Sequence, residues 1–161
     1  MTRYFVIHFC YKNSFLYNSV VYNNSIGGCM LRIAICCGEG FASGFLAKRL
    51  DAQAAKQGLK GKCSFVFIPF VQLYGRQNEA DIAFLMAHVE AAAKADKREY
   101  SIPLYVMPYK VAAATPPTVY FEDAEDLMEM ANGKGGLICF PGEEMSAIVN
   151  RNKSHRSTVK K

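Results

Sequence analysis

From residue 30 onward, short apolar runs alternate with longer segments in which apolar residues recur every three or four positions. The short runs predict β-strands and the periodic segments predict α-helices. This alternation is typical of an α/β domain built on a parallel sheet. The predicted strands are 31–36, 63–69, 80–85, 102–107 and a short edge strand at 137–140, and the predicted helices are 43–57, 87–97 and 119–131.

Two of the predicted helices carry further detail. The first ends at Gly58 and faces the sheet with an apolar stripe formed by Phe45, Leu46, Leu50 and Ala54. The third opens after Thr118, and the positive end of its dipole favours the acidic residues Glu122, Asp123, Glu125 and Asp126. Because right-handed crossovers cover both faces of such a sheet with helices, we expect ligands beyond the carboxyl ends of its strands.

The strongest site candidate lies where the first strand meets the first helix. Residues 31–36 run into a glycine-rich turn that begins with Cys37. Unpaired N–H groups at a helix start attract an anion, and the same field stabilises a thiolate. Cys36 still belongs to the alternating strand and is predicted to point into the sheet, so Cys37 is the better nucleophile. The competing interpretation is an ordinary strand-to-helix turn made of small residues.

Three chemistries could use this turn. A dinucleotide site is disfavoured, because the glycines have the wrong spacing and no acidic residue ends the second strand. A cysteine phosphatase needs an arginine six residues after the nucleophile, where Ser43 stands, and an Asp-Pro pair that the sequence lacks. The remaining residues can hold a phosphoryl group on sulfur without activating water. We therefore expect a phosphoryl carrier, with a phosphatase or arsenate-reductase-like enzyme and a non-catalytic regulatory domain as alternatives.

The net charge of +5 does not indicate a nucleic-acid partner, because residues 150–161 hold five basic side chains and no acidic one. The segment 143–161 therefore predicts a basic, disordered tail. The six cysteines and three histidines show no metal-ligand spacing, so we expect no metal and no other cofactor. Adjacent Cys36 and Cys37, without a secretory signal, favour reduced thiols and a cytoplasmic location.

Residues 1–29 differ from the rest in being rich in Tyr, Asn, Phe and Ser. They contain neither a long apolar run nor the order of segments that a signal peptide needs. One interpretation places the natural start at Met30, with residues 26–29 translating a ribosome-binding stretch. The other is a translated extension that adds an edge strand through residues 4–9. The chain is thus predicted to divide into an extension at 1–29, a domain at 30–142 and a tail at 143–161.

The loop Cys37-Gly38-Glu39-Gly40-Phe41-Ala42-Ser43-Gly44 resembles a known phosphate loop of the form Cys-x-x-Gly-x-x-Ser/Thr. That loop is found in the lactose/cellobiose-type IIB component of the bacterial sugar phosphotransferase system, and the resemblance covers about residues 30–131. It implies a cytoplasmic α/β protein with an open, parallel four-stranded sheet of order 2-1-3-4 flanked by helices. The fold would then be flavodoxin-like, as in the low-molecular-weight phosphatases, with room for an extra edge strand.

The resemblance also implies an activity, that of a protein-phosphocysteine sugar phosphotransferase. Cys37 would take a phosphoryl group from a histidine of a IIA partner and deliver it to a sugar bound by the membrane permease IIC. Contact with a membrane would come only through IIC, and no nucleic acid is implied. The phosphate-binding residues carried over are Gly38, Glu39, Gly40, Phe41, Ala42, Ser43 and Gly44.

Three features of the chain depart from the family pattern. Ser43 is the loop's only hydroxyl, between Ala42 and Gly44, and Glu39 sets a carboxylate beside an incoming anion. After the third strand, Met86-Ala87-His88 stands where the family commonly has Gly-Pro-Gln. Fewer side-chain donors would therefore surround a phosphate here than in the family pattern.

Overall fold

A computed structural model describes residues 30–38, 41–108, 115–145 and 149–159, without the side chains of residues 41 and 42. The predictions made for residues 1–29 lie outside this part of the chain. The strands are β1 (Leu31–Cys36), β2 (Cys63–Phe67), β3 (Ile82–Leu85), β4 (Pro103–Val106) and β5 (Gly136–Ile138). The α-helices are α1 (Phe41–Lys56), α2 (Phe70–Arg76), α3 (Glu90–Ala95), α4 (Pro117–Ala131) and α5 (His155–Val159), and 3-10 turns span Gln77–Glu79 and Ala87–Val89.

The five strands form one sheet of order β2-β1-β3-β4-β5, and every pair is parallel. This arrangement confirms the predicted α/β class, the order 2-1-3-4 and the extra edge strand. The chain leaves β1 for β2 on one side and then crosses to β3 on the other side of β1. The connections therefore diverge between β1 and β3, and such a switch point leaves a crevice at the carboxyl ends of the two strands.

Alternation of side chains along the strands gives the sheet two apolar faces. In β1, Ile33 and Ile35 pack into one cluster with residues of α1 and α4. Ala34 and Cys36 point the other way, into a cluster with residues of α2 and α3. Because both faces are covered, β3 and the part of β1 that follows Arg32 are continuous apolar runs, as is typical of parallel strands.

The helices differ from the prediction in three places. Helix α2 is not among the predicted helices. Phe45 was wrongly placed on the buried stripe of α1, because its side chain is 70% exposed. The predicted helix 87–97 is a 3-10 turn followed by the short α3, which ends before Asp96. The Asp96 carboxylate accepts the backbone N–H of Arg98 at 3.0 Å, a local turn that competes with the helix.

The prediction of a disordered tail from residue 143 is wrong for the residues that the structure describes there. Arg151 is buried, and its guanidinium binds the carboxylates of Asp123 at 2.8 Å and Glu143 at 2.5 Å. Arg156 forms a further ion pair with Asp126 at 2.6 Å. The acidic residues of α4 therefore hold the C-terminal segment, defined here as residues 149–159, rather than only complementing the helix dipole. The basic residues are visible in the sequence, but the buried carboxylates with which they pair are not.

Candidate functional site

The backbone fixes the end of β1 from both sides. The carbonyl oxygen of Cys37 accepts the N–H of Phe70, at the start of α2, with an N···O distance of 2.8 Å. The carbonyl oxygen of Cys36 accepts the N–H of Met86, just beyond β3, also at 2.8 Å. Cys37 is thus the first residue after the strand, as predicted, and it sits where the chain turns from the sheet into the switch-point crevice.

The two adjacent cysteines occupy different environments. Cys36 belongs to the cluster beneath α2 and α3, as its predicted orientation into the sheet requires. Burial, together with the neighbouring Cys37, raises the pKa of the Cys36 thiol to about 12. Cys37 is also shielded, with 2% of its surface exposed, and neither residue is in a disulfide. The neutral thiol of Cys36 is therefore part of the core, and Cys37 is the thiol that follows the strand.

Helix α1 begins four residues after Cys37, at Phe41. Since the first N–H groups of a helix lack intrahelical acceptors, its N-terminal turn is suited to an anion. Ser43 lies inside this first turn and is buried. Gly44 faces β2, where a Cβ would lie 3.7 Å from the Phe67 ring.

The remaining loop residues have a different status. Gly38 is described, but Glu39 and Gly40 fall outside the described residues, as do the side chains of Phe41 and Ala42. Their part in phosphate binding stays a prediction.

His88 is the side chain that sequence reasoning underrated. It lies in the 3-10 turn after β3, and its Nε2 accepts the N–H of Gly38 at 3.3 Å. In the sequence it stands out only as a departure from the family pattern, because 50 positions separate it from Gly38. The order of the sheet was the available signal, since adjacent parallel strands β1 and β3 bring their carboxyl ends together.

The described residues lack two kinds of feature. They contain no group of three or more His, Cys, Asp and Glu side chains placed to hold a metal ion. Within the same ranges, no helix is long and apolar enough to cross a membrane. At the switch point itself the described residues place the buried Cys37, four residues before helix α1 begins.

The fold and the position of Cys37 define the class first: open parallel α/β proteins with a switch-point crevice beside the loop between β1 and α1. Within that class, residues 32–120 match the family model described as the lactose/cellobiose-specific IIB subunit of the phosphotransferase system. The match spans more than half of the chain, and the protein belongs to this family. Comparison with curated proteins and with solved structures yields no match.

Family membership gives the protein a role in phosphotransfer within a sugar phosphotransferase system. IIB domains of this family work with IIA and IIC components. The matched range includes β1, the loop that carries Cys37 and Gly38, and the turn that carries His88. The family is therefore recognised by the part of the chain that forms the candidate site.

Proposed function

We propose that this protein is the IIB phosphoryl carrier of a cytoplasmic sugar phosphotransferase chain, with Cys37 as the residue that carries the phosphoryl group. The observation that carries the proposal is the position of Cys37. It is the one described cysteine that follows a central strand at the switch point and precedes the N-terminal turn of a long helix. Cys63 lies within β2, and Cys139 follows β5 at the edge of the sheet.

The reaction runs in two balanced steps. In the first, the Cys37 sulfur attacks the phosphorus of a phosphohistidine on IIA, so the P–N bond breaks and an S–P bond forms. The proton lost by the thiol balances the N–H that the donor imidazole regains. In the second step, a sugar hydroxyl held by IIC attacks the same phosphorus, and its proton returns to the sulfur. The membrane is reached only through IIC.

The loop and the helix start supply what transfer needs from the protein. In this proposal backbone N–H groups between Gly38 and Gly44 hold the phosphoryl oxygens, and the dipole of α1, which begins at Phe41, offsets part of their charge. Position 43, where a cysteine phosphatase has an arginine, is a serine, so no guanidinium from this position binds a phosphate ester during attack by water. Storage on sulfur, followed by delivery to a second acceptor, fits this set better than hydrolysis.

The test is to supply phosphoryl donors with a P–N bond and to locate the label. IIA components of lactose and cellobiose type, phosphorylated on histidine with ³²P, and the small donor phosphoramidate are added to the full chain. We expect an acid-labile adduct on the peptide that contains Cys37, lost in Cys37→Ser and kept in Cys36→Ala. The adjacent buried cysteine is thus the matched control.

Three other results would count against the proposed phosphoryl-carrier function. Absence of label on Cys37 with all of these donors would overturn it. Turnover of p-nitrophenyl phosphate without a donor would favour the phosphatase alternative instead. Neither label nor turnover would leave a regulatory domain that keeps the fold without the transfer.

A further inference from the structure

His88 contacts an amide that the proposed function assigns to the phosphoryl group. Its imidazole Nε2 accepts the N–H of Gly38, the residue directly after Cys37. The His88 side chain is exposed, so it can turn without losing core contacts. At Gly38 a Cβ would lie 3.9 Å from Nε2, which shows how closely the imidazole approaches the loop backbone. His88 is therefore already part of the loop's hydrogen bonding before any phosphate arrives.

A phosphoryl group on Cys37 would compete with His88 for the N–H of Gly38. In the structure, Nε2 acts as an acceptor, so its lone pair faces the Gly38 N–H. If the phosphoryl oxygens take that N–H, the lone pair is left beside a dianion, which is repulsive. A protonated Nε2 would instead donate a charge-assisted hydrogen bond to the same oxygens. Histidine is suited to this change because both ring forms are accessible near neutral pH.

We propose that His88 exchanges partners during transfer: it accepts the Gly38 N–H in the free protein and, once protonated, donates to the phosphoryl group on Cys37. This inference rests on the proposed function. The exchange adds one proton, which His88 takes from solvent when the S–P bond forms and returns when that bond breaks. The thiol proton is accounted for separately by the donor imidazole.

Other titratable groups near this edge bear on the assignment. On the β1 side they are Cys37 and Cys36, and burial keeps the Cys36 thiol protonated because its pKa is raised to about 12. On the α3 side, Glu90 binds Lys94 with an N···O distance of 2.6 Å. Glu39 also belongs to the loop, in the part outside the described residues. Among the described groups, His88 is the one with a ring nitrogen on the loop amide.

The first test observes the imidazole directly. The full chain is labelled with ¹⁵N and phosphorylated with phospho-IIA or phosphoramidate. The ring nitrogens are then recorded by two-bond ¹H–¹⁵N correlation. The His88 signals are assigned by their absence from the spectrum of His88→Gln. We expect the Nε2 resonance of His88 to move from the range of an unprotonated nitrogen to that of a protonated one. His155, stacked on Phe140 near the C-terminus, should not move.

The second test measures the transfer equilibrium between IIA and Cys37. His88→Ala should lower the equilibrium constant about tenfold, as expected for one hydrogen bond to a charged group. His88→Gln should lose less, since an amide can accept from Gly38 and donate to phosphate but carries no charge. His155→Ala, which leaves the loop intact, serves as the matched control.

The outcomes separate the two proposals. Label on Cys37 with an unchanged His88 resonance and an unchanged equilibrium constant in His88→Ala would overturn this inference and leave the carrier function standing. No label on wild-type Cys37 would overturn the carrier function, and the His88 inference would fall with it.

Discussion

At the scale of single residues, strand alternation explains why two neighbouring cysteines differ. Cys36 is the last residue of β1 and packs in the core, whereas Cys37 is the first residue of the loop. The sequence sufficed to predict this difference, because period-two alternation assigns faces residue by residue. It did not suffice for His88 or for the exposure of Phe45, since both depend on which elements meet in space.

A glycine provides the sharpest test of packing at this scale. A Cβ at Gly135 would lie 1.9 Å from the carbonyl oxygen of Tyr100, a backbone atom that cannot turn away. Gly135→Ala should therefore lower the free energy of unfolding by about 3 kcal/mol or more, at the upper end for overpacking. Urea denaturation measures the change.

The matched control for this substitution is Gly75→Ala. Gly75 lies within α2, has no positive φ, and a Cβ there would have open space. Alanine should raise the free energy of unfolding by about 0.5–1 kcal/mol through helix propensity. Equal effects of the two substitutions would contradict the close contact between Gly135 and the Tyr100 backbone.

At the scale of elements, the long helices and the strands follow from sequence patterns, and the short elements do not. Helix α4 was predicted within two residues of its observed bounds, Pro117–Ala131. Helix α2 has seven residues, too few to show a clear period, and it forms because its Phe70 and Leu73 cover the sheet. The C-terminal segment shows no apolar pattern at all, because what holds it is a buried ion-pair cluster.

That cluster is centred on Arg151. Its guanidinium binds Asp123 and Glu143 and also donates to the hydroxyl of Tyr105 at 2.7 Å. Although burial disfavours its charge, the hydrogen bond to Glu143 and the negative charges of Asp123 and Glu143 raise the pKa of Arg151. The charged form is thus maintained inside the protein by its partners, and those partners depend on it in turn.

Removal of the guanidinium should therefore be costly. Arg151→Ala leaves two buried carboxylates without their cation, and we expect a loss of about 3–5 kcal/mol in the free energy of unfolding. Arg156→Ala is the comparison, because its pairs with Glu125 and Asp126 are partly exposed and should contribute about 1 kcal/mol or less. Thermal and urea denaturation measure both losses of unfolding free energy. Equal losses in the two variants would contradict the buried ion-pair cluster.

At the scale of the whole molecule, the order of the strands creates the site. Cys37 follows β1 and His88 follows β3, and these strands are neighbours only because the chain crosses from β2 to the far side of β1. Hydrophobic periodicity predicts the strands but not their order, which here came from resemblance to a family. The position of the site beyond the strand ends then follows from topology. The hydrogen bond between Gly38 and His88 could be found only from the structure.

The all-parallel sheet also buries thiols, and this gives the whole fold a pH dependence. Burial raises the pKa of Cys36 to about 12 and that of Cys63 to about 11, whereas an unfolded cysteine titrates near roughly 8.5. Above that pH the unfolded chain releases protons that the folded chain keeps, so the unfolded state binds fewer protons. The free energy of unfolding must then fall as pH rises.

Cys36 and Cys63 should each contribute a slope of about 1.4 kcal/mol per pH unit from about pH 8.5 to about pH 10, because both folded pKa values lie above that range. Urea denaturation from neutral pH to about pH 10 measures it. Cys36→Ala removes one of the two thiols and should flatten the alkaline loss, even if it lowers stability at neutral pH through the space it leaves. A slope that stays the same in this variant would mean that Cys36 is not held as a neutral thiol beneath α2 and α3. Burial would then not explain why Cys36 stays a neutral thiol while the adjacent Cys37 is the proposed phosphoryl acceptor.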